Sequence, residues 1–159
     1  MLKDFSKVCM IFVQSYLKNK DSFIEYDKFD SKIDDSDYIQ GAIELKINDV
    51  EIINKSMFDY IDQLWAYIVD GLVDVSQKKD FYTYFPDQPI KFSINYLYGD
   101  MIKVSLICDN EVNATIDKNI FIKCISSHIK NFMTKMKYIA PNNIDIYEDM
   151  INKLDSITK

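Results

Sequence analysis

The stretch from Ser56 to Asp87 constrains the fold most, because a long helical period changes there abruptly into strand alternation. Apolar residues recur at steps of three and four, which places them on one face of a helix. They are Ile61, Leu64, Trp65, Ile68, Leu72 and Val75. Ser56 is a natural N-cap, since its hydroxyl can accept from a free backbone N–H of the first turn. The stretch therefore predicts a central amphipathic helix with Trp65 in the core.

The opposite face of this helix is acidic and has two interpretations. It carries Asp59, Asp62, Asp70 and Asp74, which form either a solvated surface or a docking face for a basic partner. Asp59 and Asp62 suit the positive end of the helix dipole, whereas the other two gain nothing from it. Gly71 costs about 1 kcal/mol relative to alanine inside a helix. Its presence predicts that a neighbouring strand approaches closely.

A short aromatic strand and a double-proline corner follow the helix. Residues 81–85 alternate between two faces, and neither Pro86 nor Pro89 can donate to a ladder, so the strand ends at the corner. Tyrosine offers a large contact area at a low entropy cost. We therefore predict a protein-binding patch of four side chains: Tyr82, Tyr84, Asp87 and Gln88. In the alternative, Asp87 and Gln88 satisfy backbone groups of the turn and the tyrosines pack under a helix.

The chain before this stretch predicts strands and a polar connection. Residues 5–17 are apolar on both faces and favour a strand, although a short helix also fits. Residues 18–37 are the most polar segment and predict a loop or a short helix. Residues 38–53 predict a hairpin that turns at Asn48-Asp49.

The chain after this stretch predicts more strands and two more helices. Apolar and polar residues alternate over 90–116, which predicts a meander. Asp117 is expected to cap a helix over about 118–138, and Asn142 or Asn143 is expected to cap a last helix. Meanders imply antiparallel pairing. We predict one domain over residues 1–159, of the α+β class. The central helix and two C-terminal helices are expected to pack against its antiparallel meander sheet.

Charge and cysteine usage bear on the partner and the compartment. All 19 basic residues are lysines, which excludes an arginine finger or guanidinium clamp. The net charge of −6 disfavours nucleic acid, which needs a basic surface, and suits a basic protein partner. No run approaches the roughly 20 apolar residues of a membrane span, so no membrane is expected. Three cysteines without metal-type spacing predict buried thiols in the reducing cytoplasm.

The sequence contains no catalytic or metal-binding signature. His128 is the only histidine and cannot by itself form a His-based zinc site. A Ser–His or Cys–His pair stays open in principle, but no G-x-S-x-G motif surrounds a serine. The carboxylates of the central helix are expected to be exposed, which argues against acid–base chemistry. We therefore expect no enzyme, no cofactor and no metal site.

Three segments, GAIELKIND, DYIDQLWAYIVDGL and TYFPDQP, resemble a family of small bacterial proteins. In that family a G-x-I-x-L-x-I strand precedes a helix with D-Q-L-W, and a Y-F-P-D-Q-P corner follows. The resemblance covers roughly residues 38–116. Some members resemble immunity proteins of contact-dependent or other polymorphic toxin systems, cytosolic α+β domains that bind and block a toxin domain. In a structural alternative for these motifs, Gln63 or Asp62 hydrogen-bonds the proline corner.

The resemblance implies a non-enzymatic cytoplasmic protein that is steered to a basic toxin domain and occludes it. The acidic helix face and the loop over residues 21–37 are the expected binding surfaces. The alternative is a small-ligand-binding or structural homo-oligomeric module. The sequence leaves the oligomeric state open.

Overall fold

The computed structural model describes residues 10–159. The first part of the predicted N-terminal strand, residues 5–9 with Cys9, lies outside the described residues. From Ile11 onward the chain forms two antiparallel sheets and three α-helices, which confirms the predicted α+β class.

The first sheet has the strand order β2-β1-β3-β4, and the short strand β5 pairs with the start of β3. Its strands are β1 (Ile11–Asn19), β2 (Ser22–Glu25), β3 (Gln40–Ile47), β4 (Val50–Ile53) and β5 (Asp59–Tyr60). The predicted hairpin is confirmed, and its turn residues Asn48 and Asp49 have φ values of 50° and 69°. Both lie in the left-handed region that tight hairpin turns need.

The segment over residues 18–37 differs from the prediction. Its start completes β1 and forms β2, which pair around a tight turn with Lys20 at φ 58°. Only Tyr26–Lys28 forms a short helix, a single 3₁₀ turn. The sequence pattern did not predict β2, because its two apolar residues, Phe23 and Ile24, lie among charged residues.

The second sheet is the predicted meander, with the order β6-β7-β8-β9 and antiparallel pairing throughout. Its strands are β6 (Phe81–Tyr84), β7 (Lys91–Tyr98), β8 (Met101–Cys108) and β9 (Asn110–Asp117). Gly99 and Asp109, at φ 55° and 66°, make the two tight turns.

The three helices are α1 (Ile61–Ser76), α2 (Lys118–Ile139) and α3 (Ile144–Ile157). Helices α1 and α2 pack on strands of the sheets, and α3 packs on α1 and α2. Asp117 caps α2 through the backbone N–H groups of Asn119 and Ile120, as predicted. Ser56 does not cap α1, because residues 55–57 form a 3₁₀ turn and residues 59–60 form β5 before the helix begins. None of the helices within residues 10–159 is long and apolar enough to cross a membrane.

The predicted apolar face of α1 is buried, and Trp65 is only 1% exposed. These residues join one cluster of buried side chains that includes members from both sheets and all three helices. The close approach predicted at Gly71 is confirmed, since a Cβ atom there would overlap the ring of Phe81 on β6. The missing side chain therefore lets the second sheet pack directly on α1.

Candidate functional site

The proline corner is fastened by Asp59, which the sequence placed on the acidic helix face. Its carboxylate accepts hydrogen bonds from the backbone N–H groups of Asp87 at 3.0 Å, Gln88 at 3.1 Å and Tyr60 at 2.7 Å. Asp59 is 4% exposed, so the prediction that it is an exposed helix residue is wrong. The reason is that residues 59–60 add a strand to the first sheet.

A second link comes from Gln88, whose Nε2 donates to the carbonyl of Phe58. The prediction that Gln63 or Asp62 holds the corner is wrong. Gln63 Nε2 instead donates to the Asp37 carbonyl at 3.1 Å. The alternative in which Asp87 and Gln88 satisfy backbone groups of the turn is wrong for Gln88, because its side chain bonds the Phe58 carbonyl outside the turn. The side chain of Asp87 is exposed.

Asp62 is also buried, at 7% exposure, and binds within the protein. Its Oδ2 accepts from the Tyr147 hydroxyl at 2.7 Å, and its Oδ1 accepts from the Gln63 backbone N–H at 2.9 Å. Burial raises the pKa of this carboxyl against the opposing effect of the hydrogen bonds. Asp62 therefore ties α1 to α3, and the prediction that its carboxylate is exposed is wrong.

The acidic helix face is reduced to two residues. Asp70 is exposed and pairs with Lys153 of α3 at 3.2 Å, and Asp74 is half-buried. The Lys153 ammonium also lies 3.4 Å from Asp149. This face is therefore less acidic than the helical pattern predicts, because α3 places a lysine over it.

The two tyrosines of β6 lie on its outer face, as predicted. Tyr82 is 62% exposed and Tyr84 56% exposed, and their ring centroids lie 6.3 Å apart in an edge-to-face arrangement. The Lys91 ammonium lies 4.6 Å from the centroid of the Tyr82 ring. The alternative in which these tyrosines pack under a helix is wrong, while their binding of a partner remains a prediction.

Two adjoining depressions beside β5 form a cleft, here called the tyrosine cleft. The larger has a volume of about 420 Å³ and the smaller about 300 Å³. Gln40 and Tyr60 line both of them, so the two depressions adjoin at these side chains. The larger also contains Tyr38 and Asp35 in its wall, and the smaller contains Asp87 of the proline corner.

Strand pairing brings the two tyrosines of the cleft together. Tyr60 lies opposite Gln40 across the β3–β5 pair, and Tyr38 lies two residues before Gln40, just ahead of β3. The two rings lie 5.3 Å apart between centroids and are tilted by 53°. Gly41 permits the close approach of β1 and of the start of α1 to β3, because a Cβ atom there would overlap the Tyr16 carbonyl and the Ile61 side chain.

The cleft is electronegative around Tyr60. Partial burial raises the pKa of Tyr60, and the charges of Asp87, Asp59 and Asp35 raise it further. Asp35 and Asp87 are exposed, whereas Asp59 is engaged with the corner. The cationic side chain in the wall is Lys18, which lies 5.1 Å from the centroid of the Phe58 ring.

Tyr38 and Tyr60 were not among the predicted site residues, whereas Asp35 lies in the loop over residues 21–37 that was expected to bind a partner. The one available signal was a tyrosine immediately before the hairpin and another immediately before the central helix. The pairing of β5 with β3, which turns this into a cleft, had no sequence signal because β5 is only two residues long.

A buried polar chain links three elements near the core. Trp65 Nε1 donates to Ser15 Oγ at 2.9 Å, and Ser15 Oγ lies 2.7 Å from His128 Nε2. The indole N–H only donates, whereas the direction of the bond between Ser15 Oγ and His128 Nε2 is set by the imidazole tautomer. Burial lowers the pKa of His128 to about 4, against a small opposing effect of Asp27. A neutral histidine is therefore built into this chain of hydrogen bonds.

This Ser–His pair has the spacing of an activated nucleophile. Ser15 is nevertheless fully buried, and neither it nor His128 lines the tyrosine cleft. An attacking hydroxyl needs a place for the substrate beside it. The arrangement therefore works as an internal support that fixes β1, α1 and α2 to one another.

Other groups with possible chemistry are dispersed. Within residues 10–159, no three His, Cys, Asp or Glu side chains lie together in a way that could hold a metal ion. The prediction of buried thiols is wrong for Cys108, which is exposed at the end of β8. Cys124 is half-buried, and burial raises the pKa of its thiol.

Comparisons of this chain with protein-family models, with curated proteins and with solved structures find no match.

Proposed function

We propose that this chain is a non-enzymatic cytoplasmic binding protein that captures a basic protein domain, in the way an immunity protein occludes a toxin. One observation carries the proposal: exposed tyrosines and an exposed carboxylate lie at a proline corner that hydrogen bonds hold in place. Tyr82 and Tyr84 lead into the corner, Asp87 lies within it, and Tyr60 follows the residue that fastens it. The resemblance to immunity proteins supplies the expected type of partner.

Rigidity supports this function. Binding loses free energy when side chains and loops become ordered at an interface, about 0.5–1.5 kcal/mol per mobile side chain. The corner is already fixed by the Asp59 and Gln88 hydrogen bonds. Tyrosine is also over-represented among the residues that contribute most to binding. A partner therefore meets a surface that needs little ordering.

Charge supports a basic partner. The net charge of −6 favours electrostatic steering, which raises association rates and falls with salt. Asp70, Asp74 and Asp87 keep solvent-accessible carboxylates on the candidate surfaces. The free thiols of Cys108 and Cys124 suit the reducing cytoplasm.

The first test is capture of a partner from the native cell lysate with the tagged protein, followed by mass spectrometry. We expect one stoichiometric partner with a basic domain, and its capture should be lost with Tyr82→Ser/Tyr84→Ser. Tyr98→Ser/Tyr138→Ser is the matched control, since both tyrosines are more than 65% exposed and lie elsewhere. Equal capture by both double variants would contradict the assigned surface.

Association kinetics with that partner test the acidic face. Asp70→Lys/Asp74→Lys should slow association and flatten its dependence on salt. Glu111→Lys/Asp145→Lys makes the same change in net charge at exposed sites on β9 and α3. If both double variants slow association equally, net charge rather than this face governs steering.

A small-ligand-binding or homo-oligomeric module is the second candidate. The larger depression, at about 420 Å³, falls in the range of small-molecule pockets, which favours a ligand-binding module. A concentration-dependent mass in light scattering would favour the homo-oligomeric module. A constant monomer mass together with a captured basic partner would reject the homo-oligomeric form.

A further inference from the structure

We propose that the tyrosine cleft receives a lysine side chain of the basic partner. The ammonium group would lie against the rings of Tyr38 and Tyr60, with Asp35 and Asp87 as the surrounding carboxylates. This inference rests on the proposed function, because it assigns one contact of that partner to one site.

The aromatic pair is suited to a cation. A lysine ammonium is attracted to the face of a tyrosine ring within about 6 Å of its centroid. The rings of Tyr38 and Tyr60 lie 5.3 Å apart and Tyr38 is 62% exposed, so an ammonium can contact both. Because the rings are tilted by 53°, they form no flat slot for a planar guanidinium. A compact ammonium therefore fits better than an arginine side chain.

The chain's own lysines already lie over other aromatic rings. Lys91 lies 4.6 Å from the Tyr82 ring and Lys55 lies 4.4 Å from the Tyr16 ring. In the part of the chain that the structure describes, the six lysine–ring pairs use Phe58, Tyr138, Phe12, Tyr16, Tyr96 and Tyr82. The pair of rings in the tyrosine cleft is thus left for a cation from another molecule.

The carboxylates supply the matching charge. Asp35 lines the larger depression and Asp87 the smaller, and Tyr60 lines both. The Asp59 carboxylate behind the corner adds negative potential although its oxygens are engaged. Lys18 opposes these charges but lies over the Phe58 ring. The local balance therefore attracts a cation to a surface where aromatic contact is available.

The test is a titration of the full-length protein with Nα-acetyl-lysine N-methylamide at low salt, in which NMR monitors the backbone amides. The norleucine analogue, which keeps the four side-chain carbons but lacks the ammonium group, is the neutral control probe. We expect saturable shifts at the amides of Tyr38 and Tyr60 with the lysine probe only. Equal shifts with the norleucine probe, or no shifts at these amides, would overturn the proposal.

Two variants test the assigned contacts. Asp35→Asn and Tyr38→Leu should each weaken lysine-probe binding by about two- to fivefold, as expected for one exposed charge or one ring. Tyr98→Leu is the matched control and should bind normally. If Tyr38→Leu fails to fold, as judged by Trp65 fluorescence, Asp35→Asn decides. Unchanged affinity in the folded variants would overturn the proposal.

This test separates the inference from the proposed function. A captured partner that binds Tyr38→Leu and Asp35→Asn as tightly as wild type would overturn the lysine site and leave the function standing. Lysine-probe binding with the expected variant effects, but without any basic partner in the lysate, would support the site and count against the proposed function.

Discussion

Replacement of Asp59 by alanine should loosen the proline corner and destabilise the whole domain. The change removes the acceptor of three backbone N–H groups, two of which belong to Asp87 and Gln88 across 28 and 29 residues of chain. A hydrogen bond to a charged group contributes about 1.5–3 kcal/mol. Because the corner is partly exposed, water can replace some of this. We therefore expect the free energy of unfolding to fall by about 3 kcal/mol, which is the lower limit for two such hydrogen bonds.

Urea unfolding followed by fluorescence measures this loss directly, since Trp65 is the only tryptophan and is buried. For a chain of this size, about 3 kcal/mol corresponds to a fall in Tm of about 6–12 °C. Asp70→Ala is the matched control on the same segment, since it breaks only a surface ion pair worth about 0–1 kcal/mol. A loss below about 1 kcal/mol for Asp59→Ala would refute the role given to its carboxylate.

Three further changes test the packing and the buried groups. Gly71→Ala should lower the free energy of unfolding in urea by about 1 kcal/mol, because overlap with Phe81 outweighs the better helix propensity of alanine. The pKa of Asp62 is raised on folding, so the folded state holds more protons between the unfolded and folded values. Wild type should therefore lose stability relative to Asp62→Asn as pH rises through that window, and parallel pH profiles in urea would contradict this. The folded pKa of His128 lies near 4, below its unfolded value, so its contribution to stability is complete above about pH 6.5 and is lost as pH falls toward 4. NMR titration of this single imidazole should give a midpoint near 4, and a midpoint near 6.5 would exclude the buried neutral form.

Regular patterns in the sequence predicted most of the secondary structure. The three-four period over 61–75 gave the buried face of α1, and alternation with two turn signals gave the four strands of the second sheet. These predictions held because each depends on residues within one element and its nearest turn. The predicted start of α1 was wrong for the same reason, since residues 59–60 pair with β3 across 18 and 20 residues of chain, which no local pattern reports.

The candidate site was predicted in part. The exposed faces of Tyr82 and Tyr84 follow from alternation, and the structure places them as expected. Burial of Asp59 and Asp62 could not be predicted, because a helical period assigns a face but not the partner that covers it. In this chain those partners are the proline corner and Tyr147 of α3.

The sequence by itself determined the helices, the meander, the acidic charge and the exposed tyrosines of β6. Only the tertiary structure decided which acids are buried supports and which face solvent, and it alone assembled the tyrosine cleft. It also joined Ser15 to His128 across 113 residues and Asp62 to Tyr147 across 85. The physical reason is that the periodicity of apolar residues shows which side of a helix or strand is buried. The particular hydrogen-bond partner of a buried polar group is set by how distant elements meet.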